Sequence, residues 1–442
     1  MMRSMYSGVS GLNVHQAKMD VIGNNIANVN TTAYKGSTVT FSEVFSQTVK
    51  GATGPSSYEG GKGGSNPQQV GLGVNLSSID INMAEGAAKR TDNPLDLKIE
   101  GDGFFVVQDE SGLKYTRAGA FRIDSAGNLV TSSGLKVCGW EANSDNTDII
   151  KAPVKPLAIL KPEYAQVEPE KTTKLAIEGN WDLKDGGDYA AGTGGIPIIV
   201  SFYDSLGYKY TGQMTARFDT TDSKWKIKGL DTLKDEKGED VIASGGAAVA
   251  PMTFGTEMEL EFDATGAVTG TTSYDMDFSG VLPFQGVKST VGDSDSININ
   301  FDNVTQYQKK TSTNATTVDG RKSGSITGFS VGGDGKITGR YSNGQSKLLG
   351  QISLAQFKNP AGLAKVGNNM FIETANSGAF NGVGVEPGTG GSGINSGVLE
   401  MSNVDLSKEF TEMITTQRGF QANSRIITAS DEILQELVNL KR

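Results

Sequence analysis

The sequence predicts a mainly β protein with terminal α-helices, in which two nested β-rich domains are inserted between N- and C-terminal coiled-coil-like helices. Three patterns lead to this fold class. Apolar residues recur every seven positions at both ends of the chain, which is a helical period. Alternating apolar residues and Asp-x-x-Gly turns fill the middle, as in β-hairpins. Glycine-rich stretches separate the helical ends from the β-rich middle.

The C-terminal stretch from 402 to 442 carries the clearer helical pattern. Its seven-residue period suits packing against other helices better than packing on a sheet. Ser402, with Asp405 three residues later, predicts a capping box at the start of a helix of about 38 residues, roughly 57 Å long. The half-heptad positions are mostly polar, so we expect a narrow seam packed among several neighbours. The residues of the apolar row are Leu406, Met413, Phe420, Ile427 and Leu434.

The N-terminal stretch carries a similar row, formed by Met5, Leu12, Met19 and Ile26. The simplest interpretation is that the two ends pack together and with copies of themselves, which makes both rows self-assembly helices. Glycines at positions 8, 11 and 23 each weaken the first helix by about 1 kcal/mol relative to alanine, so it should not hold alone. The alternative is that both helices cap an ordinary globular core.

Composition shifts divide the 442 residues into nested segments. We expect a terminal helical domain (1–31 with 398–442), a Gly-rich connector (32–75), an inner β domain (76–145 with 303–397) and an inserted outer β domain (146–302). Asp-x-x-Gly turns punctuate both β segments, and glycine is expected in the left-handed conformation that such turns require. Three of these turns are Asp124 to Gly127, Asp204 to Gly207 and Asp263 to Gly266.

The composition argues against several classes of protein. A net charge of −10 disfavours nucleic acid or an anionic membrane surface as the main partner. No run of 18 apolar residues is present, so no membrane insertion is expected. The first residues, MMRSMYSGVSGLNVHQAK, do not form a secretory signal peptide. The single cysteine, Cys138, rules out an internal disulfide and is predicted to be a small buried apolar residue.

The sequence gives little support to catalysis. The only histidine is His15, so a His-based metal cluster or a Ser–His or Cys–His pair cannot form. Gly388, Gly390 and Gly393 match a dinucleotide pattern that neither follows a clear strand nor opens a helix. A calcium-loop match that starts at Asp275 fails, because its twelfth position is Gly286 instead of glutamate. We therefore predict no enzyme activity, no cofactor and no metal site.

Long motifs lie at both ends of the chain and in the inner β domain, and the first of them is NNIANVNTTAYKG (Asn24 to Gly36). This stretch looks like the motif shared by the bacterial flagellar rod and hook axial proteins, and the chain resembles the hook branch of that family in particular. NPLDLKIEGDGFFVV, YTRAGAFRIDSAGNLV and LEMSNVDLSKEFTEMITTQRGFQANSRIITASDEIL are similar to further blocks of the family. The residues carried over from the shared motif are Asn24, Asn25, Asn28, Asn30, Thr31, Tyr34 and Lys35.

The resemblance implies a structural subunit of the flagellar hook, which self-assembles into a curved, flexible tube. That tube acts as a universal joint that transmits motor torque to the filament. The implied partners are the chain itself, the flagellar rod, the hook cap, the hook–filament junction proteins and the flagellar type III export apparatus. The implied location is extracellular, in the basal body and hook, and is reached without a cleaved signal peptide.

Two other functions stay open at this point. A distal rod protein shares the family's ends but usually lacks so large an insert, so the length favours the hook. A secreted β-rich surface adhesin or binding protein would use the central block to bind its ligand and the helices for anchoring. Polymerisation distinguishes them, since a binder should stay a defined oligomer.

Overall fold

The structure is a computed structural model that describes residues 2–55, 62–143, 147–240, 252–277, 296–317, 319–389 and 391–440. The chain divides into two compact units. The first unit comprises Met1–Lys161, Phe329–Gly339 and Lys347–Arg442, and the second comprises Pro162–Gly328 and Arg340–Ser346.

The elements are numbered along the chain. The first section holds α1 (Met2–Ala27), β1 (Ser37–Glu43), β2 (Ser46–Lys50), β3 (Gln68–Gly71), β4 (Val74–Ile81), β5 (Ala88–Arg90), β6 (Leu97–Glu100), β7 (Phe104–Asp109), β8 (Gly112–Thr116), β9 (Phe121–Ile123), β10 (Leu129–Thr131), β11 (Lys136–Glu141) and β12 (Lys155–Pro156). The middle section holds α2 (Pro162–Ala165), β13 (Gln166–Val167), β14 (Lys174–Asn180), β15 (Ile196–Tyr203), β16 (Lys209–Asp219), β17 (Lys224–Lys234), β18 (Met252–Phe262), β19 (Val268–Thr269), β20 (Ser273–Asp277), β21 (Ser296–Thr305) and β22 (Ser312–Thr317). The last section holds β23 (Gly324–Val331), β24 (Lys336–Tyr341), β25 (Ser346–Ile352), β26 (Leu354–Ala355), β27 (Ala364–Lys365), β28 (Met370–Ile372), β29 (Gly393–Ser396), β30 (Val398–Glu400) and α3 (Leu406–Asn439).

The predicted fold class is confirmed, because the chain is mainly β and has a long helix near each end. The main sheet of the first unit runs in the order β24-β25-β11-β7-β8-β28-β27. Strand β7 supplies a continuous apolar run, Phe104 to Val107, and every residue of that run is buried. Cys138 lies in the same core at 0% exposure, as the sequence predicts.

The second unit is built from two sheets that share one core. Its five-stranded sheet is a meander in the order β15-β16-β17-β18-β19, and its four-stranded sheet has the order β20-β21-β14-β22. Strand β15 alternates buried and more exposed residues, which places one side of the strand in the core. At the centre, the rings of Trp181 and Trp225 lie 5.3 Å apart, and both side chains are fully buried.

The unit boundaries differ from the predicted domain limits. Residues 155 and 156 pair with β11 of the first unit, whereas the prediction assigned them to the segment 146–302. At the other end, β22 pairs with β14 of the second unit and so carries that unit past position 302. The predicted connector 32–75 also differs, since β1 pairs with β4 and β2 pairs with β3 to form an antiparallel hairpin. Strand pairing decides these limits, and composition shifts do not reveal it.

The start of the C-terminal helix is a second correction. The predicted capping box at Ser402 is wrong, because the N-cap is Asp405, whose side chain accepts hydrogen bonds from the amides of Ser407 and Lys408. Helix α3 therefore has 34 residues. Ser402 instead accepts a hydrogen bond from the amide of Val404, so the residues before Asp405 form a turn outside the helix.

Candidate assembly site

The two terminal helices pack against each other in an antiparallel pair. A Cβ atom added to Gly8 would lie 3.3 Å from Ile427 Cγ1, and one added to Gly11 would lie 2.7 Å from Asn423 Nδ2. As the contact moves towards the C-terminus of α1, it therefore moves towards the N-terminus of α3. The predicted packing of the two ends against each other is confirmed, and packing with copies stays a prediction.

The pairing continues towards the end of α1 through a histidine and an ion pair. A Cβ on Gly419 would lie 2.7 Å from Cε1 of the His15 ring, so the backbone of α3 passes directly against that ring. Lys18 Nζ lies 3.2 Å from Glu412 Oε2. The contact positions on α1 are spaced by three and four residues, as in a coiled-coil seam, but they carry glycine, histidine and lysine.

The predicted apolar rows are partly buried, and one of their residues, Ile427, lies in this seam against Gly8. Met5, Leu12, Met19 and Ile26 are half-buried on α1; on α3, Met413, Phe420, Ile427 and Leu434 are half-buried, and Leu406 is exposed. The residues buried most deeply on the two helices are Gly8, Gly11, Val14, Ile22, Asn25, Thr416 and Ser430. Small side chains let two helix backbones approach closely, a signal that a search for apolar periodicity misses.

A second set of apolar side chains on the helices stays exposed in the single chain. Phe410 is 50% exposed and Ile414, four residues later on α3, is 60% exposed. Contiguous exposed apolar residues typically mark an interaction surface. The other large apolar residues that are exposed on the two helices are Met2, Tyr6, Val9, Leu406, Ile426, Ile433, Leu437 and Val438, and Leu440 is exposed directly after α3.

The motif residues that follow α1 form a network of side-chain hydrogen bonds. Asn25 is 2% exposed; its Nδ2 donates to the Ser37 carbonyl at 2.8 Å, and its Oδ1 accepts from the Ser37 amide at 3.0 Å. Tyr34 Oη also donates to Asn25 Oδ1, at 3.3 Å, and accepts from Asn24 Nδ2 at 3.1 Å. Asparagine side chains thereby replace backbone partners and tie the last turn of α1 to β1.

The remaining motif residues hold the turn between α1 and β1. Asn28 Nδ2 donates to Asn24 Oδ1 at 3.0 Å, and Thr31 Oγ1 donates to Asn28 Oδ1 at 3.1 Å. Asn30 is exposed at the tip of this turn. The resemblance had singled these residues out, and the structure assigns most of them a defined hydrogen bond.

Lys35 ends the motif in a buried ion pair. Its Nζ donates to Glu400 Oε1 at 2.6 Å and to the Ala84 carbonyl at 2.8 Å, and both charged side chains are 0% exposed. Burial lowers the pKa of Lys35, and the negative charge of Glu400 opposes that shift. The Lys35 carbonyl in turn accepts from Lys365 Nζ at 2.9 Å, and this ammonium also lies over the Tyr34 ring.

Sequence reasoning missed the partners of this motif, chiefly Glu400, Lys365 and Asn403. Asn403 Oδ1 accepts from the Gly36 amide at 2.9 Å, and its Nδ2 donates to the Asn82 carbonyl at 2.8 Å. Glu400 and Asn403 both belong to LEMSN, which opens one of the blocks that resemble the family. Their place in that block was a signal in the sequence that could have drawn attention to both residues. It does not reveal which cation the Glu400 carboxylate contacts.

The residues considered for chemistry have other environments. His15 has a lowered pKa because it is partly desolvated and lies near Lys18. Burial raises the pKa of the Cys138 thiol to about 12, which opposes formation of the reactive thiolate. Gly390 and Gly286 lie outside the described residues. Within the described ranges, His, Cys, Asp and Glu do not form a group of three that could hold a metal ion. Neither do those ranges contain a helix that is long and apolar enough to cross a membrane.

Comparison with known proteins gives matches along the whole chain. Four family models match it, described as the flagella basal body rod protein (5–35), the flagellar hook protein FlgE/F/G D1 domain (98–180), the flagellar basal body protein FlaE D2 domain (190–321) and the flagellar basal body rod FlgEFG protein C-terminal (395–440). The first and last of these models include the two rows and the shared motif.

Full-length relatives agree with the family models. The flagellar hook proteins FlgE of Borreliella burgdorferi and Treponema pallidum are 38% and 35% identical, and each alignment covers 100% of both chains. The flagellar basal-body rod protein FlgG of Bacillus subtilis is 31% identical, also with 100% coverage of both chains. Identity at this level over the full length shows that the chain belongs to the flagellar hook protein family.

Proposed function

We infer that the chain is a structural subunit of the bacterial flagellar hook, which assembles with copies of itself into a curved, flexible tube. The single observation that carries this conclusion is the helix pair, which leaves apolar side chains exposed in a chain whose full length matches hook proteins. A lone subunit would expose these side chains to water. Packing with further copies would bury them, and burial of apolar surface drives protein association.

We propose that the two predicted rows take part in contacts between copies. Met5, Leu12, Met19 and Ile26 stay half-buried on α1, so a neighbouring helix could complete their burial. Met413, Phe420, Ile427 and Leu434 are similarly half-buried. The contacts between α1 and α3 would then hold one subunit's helices together, while the part of each row that stays exposed would contact other subunits.

The remaining parts of the proposal concern the role and setting of the tube. The assembled tube would act as a universal joint that passes motor torque to the filament. We propose the rod, the hook cap and the hook–filament junction proteins as neighbours, and the type III export apparatus as the route out of the cell without a cleaved signal. Copy-to-copy contacts that permit bending should be modest and polar outside the helices.

Electron microscopy of the concentrated full-length protein tests the assignment. We expect long tubes with curvature. Straight rods would favour the distal rod alternative, which the full-length match to a rod protein also raises. A defined small oligomer that does not elongate would overturn polymer formation and favour a β-rich binding protein.

A further inference from the structure

A cluster of buried charges joins the two ends of the chain at a point that the apolar rows do not use. Lys35 follows α1, and Glu400 ends β30 shortly before α3. The two residues are separated by 365 positions in the sequence, yet their side chains form an ion pair with no solvent exposure. A buried charge is strongly disfavoured unless an opposite charge and hydrogen bonds compensate it.

Glu400 serves a second cation in addition to Lys35. Arg117 Nη1 lies 3.8 Å from Glu400 Oε1, and the Arg117 side chain is 4% exposed. The guanidinium is held from its other side, since Nε donates to the Gly103 carbonyl at 2.9 Å and Nη2 donates to the Gly101 carbonyl at 2.7 Å. One carboxylate therefore neutralises a cation of the N-terminal segment and a cation that is fixed on the β unit.

The backbone around Glu400 leaves this carboxylate little freedom to move. Its Oε1 also accepts from the Gly86 amide at 2.9 Å, and its carbonyl accepts from the Ala33 amide at 2.9 Å. A Cβ atom on Gly86 would collide with the Met401 carbonyl, so this approach requires glycine. Both chain ends thus meet at one closely packed point, where Glu400 is the shared acceptor.

We propose that Glu400 is the positioning residue that couples the two ends of the chain. The segment that carries Lys35 and the segment that leads into α3 become ordered together, because neither buried charge is compensated without the other. Glu400 thereby fixes the points from which α1 and α3 leave the β unit, and with them the register of the helix pair. Only the consequence for tube formation rests on the proposed function.

Lys35 and Arg117 share Glu400 as their nearest anion, while Glu85, which is paired with Lys98, acts on both cations from further away. The effects of substitution are therefore unequal. Lys35→Met leaves Glu400 facing Arg117, so the remaining charges still compensate each other in part. Glu400→Gln leaves Lys35 and Arg117 buried without the anion that lies nearest to both. We therefore expect Glu400→Gln to be the more damaging change, and Lys35→Met added to it to restore part of the loss. If Glu400 and Lys35 contributed through packing alone, the losses caused by the two single substitutions would instead add up in the double variant.

Hydrogen–deuterium exchange of the full-length monomer, followed by mass spectrometry, measures this coupling. In Glu400→Gln we expect amides of residues 24–36 and of the first turns of α3 to exchange more than about 100-fold faster. Lys35→Met should accelerate exchange less, and the double variant should lie between the two single variants. Residues of the second unit, around Trp181 and Trp225, should keep their protection in all variants and so report that the chain is folded.

Asp92→Asn is the matched control, because Asp92 and Arg90 form an ion pair close to β5 that is exposed on both sides. This substitution should leave the exchange of residues 24–36 unchanged. Unchanged exchange in Glu400→Gln, or losses that add in the double variant, would overturn the coupling. Tube formation by the parent chain is scored separately: a parent that forms no tubes while Glu400→Gln loses protection would refute the hook assignment and leave the coupling intact.

Discussion

The core of the second unit and the terminal helix pair bury their apolar side chains to very different degrees. In the second unit, Trp181, Trp225 and Phe301 are fully buried where the two sheets meet. In the helix pair, Ile414 is 60% exposed, and the seam relies on Gly8, Gly11 and Gly419 for close contact. The second unit completes its core within one chain, whereas the helices keep apolar side chains exposed. In the proposed function, stability and assembly would therefore depend on different regions of the same subunit.

The largest effect that would test this difference is the loss of assembly from one helix substitution. Phe420→Asp places a charge on the half-buried row of α3, which would cost several kcal/mol in every desolvated contact between subunits. Tubes should be absent by electron microscopy, while the melting of the second unit, followed by tryptophan fluorescence, should not change. Phe420→Leu keeps the apolar contact and should still assemble. Normal tubes from Phe420→Asp would remove this row from the interface.

The converse change should damage the second unit and spare the helices. Trp181→Ala removes a fully buried ring that contacts Trp225, Phe262 and Phe301, and should lower the free energy of unfolding by about 3–5 kcal/mol. Urea denaturation followed by fluorescence of the remaining tryptophans measures this loss. Leu183→Ala is the control, because Leu183 is 47% exposed and its truncation should change stability by less than about 0.5 kcal/mol. An equal loss of unfolding free energy in both variants would contradict the interpretation that the second unit completes its core within one chain.

Two glycines give a sharper test of the helix seam. No atom lies within 4 Å of a Cβ added to Gly23, so Gly23→Ala should gain about 1 kcal/mol from helix propensity alone. Gly419→Ala gains the same propensity but pushes against the His15 ring, and we expect a net loss of about 1–2 kcal/mol. Thermal melts monitored by the helical circular dichroism signal compare the two variants. The seam assignment fails if Gly419→Ala is as stabilising as Gly23→Ala.

The smallest expected effect is a weak pH dependence of the same seam. The pKa of His15 is lowered in the folded chain, so the folded state binds fewer protons than the unfolded state below pH 6.5. The contribution of the neutral ring is complete above pH 6.5 and is lost as the pH falls through the folded-state pKa. We expect the helix melting temperature to drop by less than about 2 °C between pH 7 and 5.

His15→Gln keeps a polar side chain at the seam and cannot titrate in this range. Its melting temperature should change less over the same pH interval than that of the parent chain. Glu409, which is near the seam, has a pKa raised by burial and nearby Glu412, and this shift acts in the opposite direction at lower pH. A pH dependence that is identical in both chains would mean that His15 does not sense it.

The sequence by itself determined the features that depend on a few neighbouring residues. Strand β15 alternates buried and more exposed residues, and the alternating apolar residues of the β-rich middle are such a local signal. The turn from Asp124 to Gly127 is confirmed for a similar reason. Asp124 Oδ1 accepts from the amides of Ala126 and Asn128, and Gly127 has a φ of +82°. Such turns need only an acceptor and a glycine at fixed spacing.

Only the tertiary structure decided how distant segments meet. The heptad rows predicted that the terminal helices pair, but the closest approach uses glycines, which carry no apolar signal. The ion pair of Lys35 and Glu400 links residues 365 positions apart, and no pattern in either segment identifies the partner. The physical reason is that a turn or strand reflects interactions within a few residues. A buried charge or a helix seam depends on which other segment the whole fold brings within contact distance.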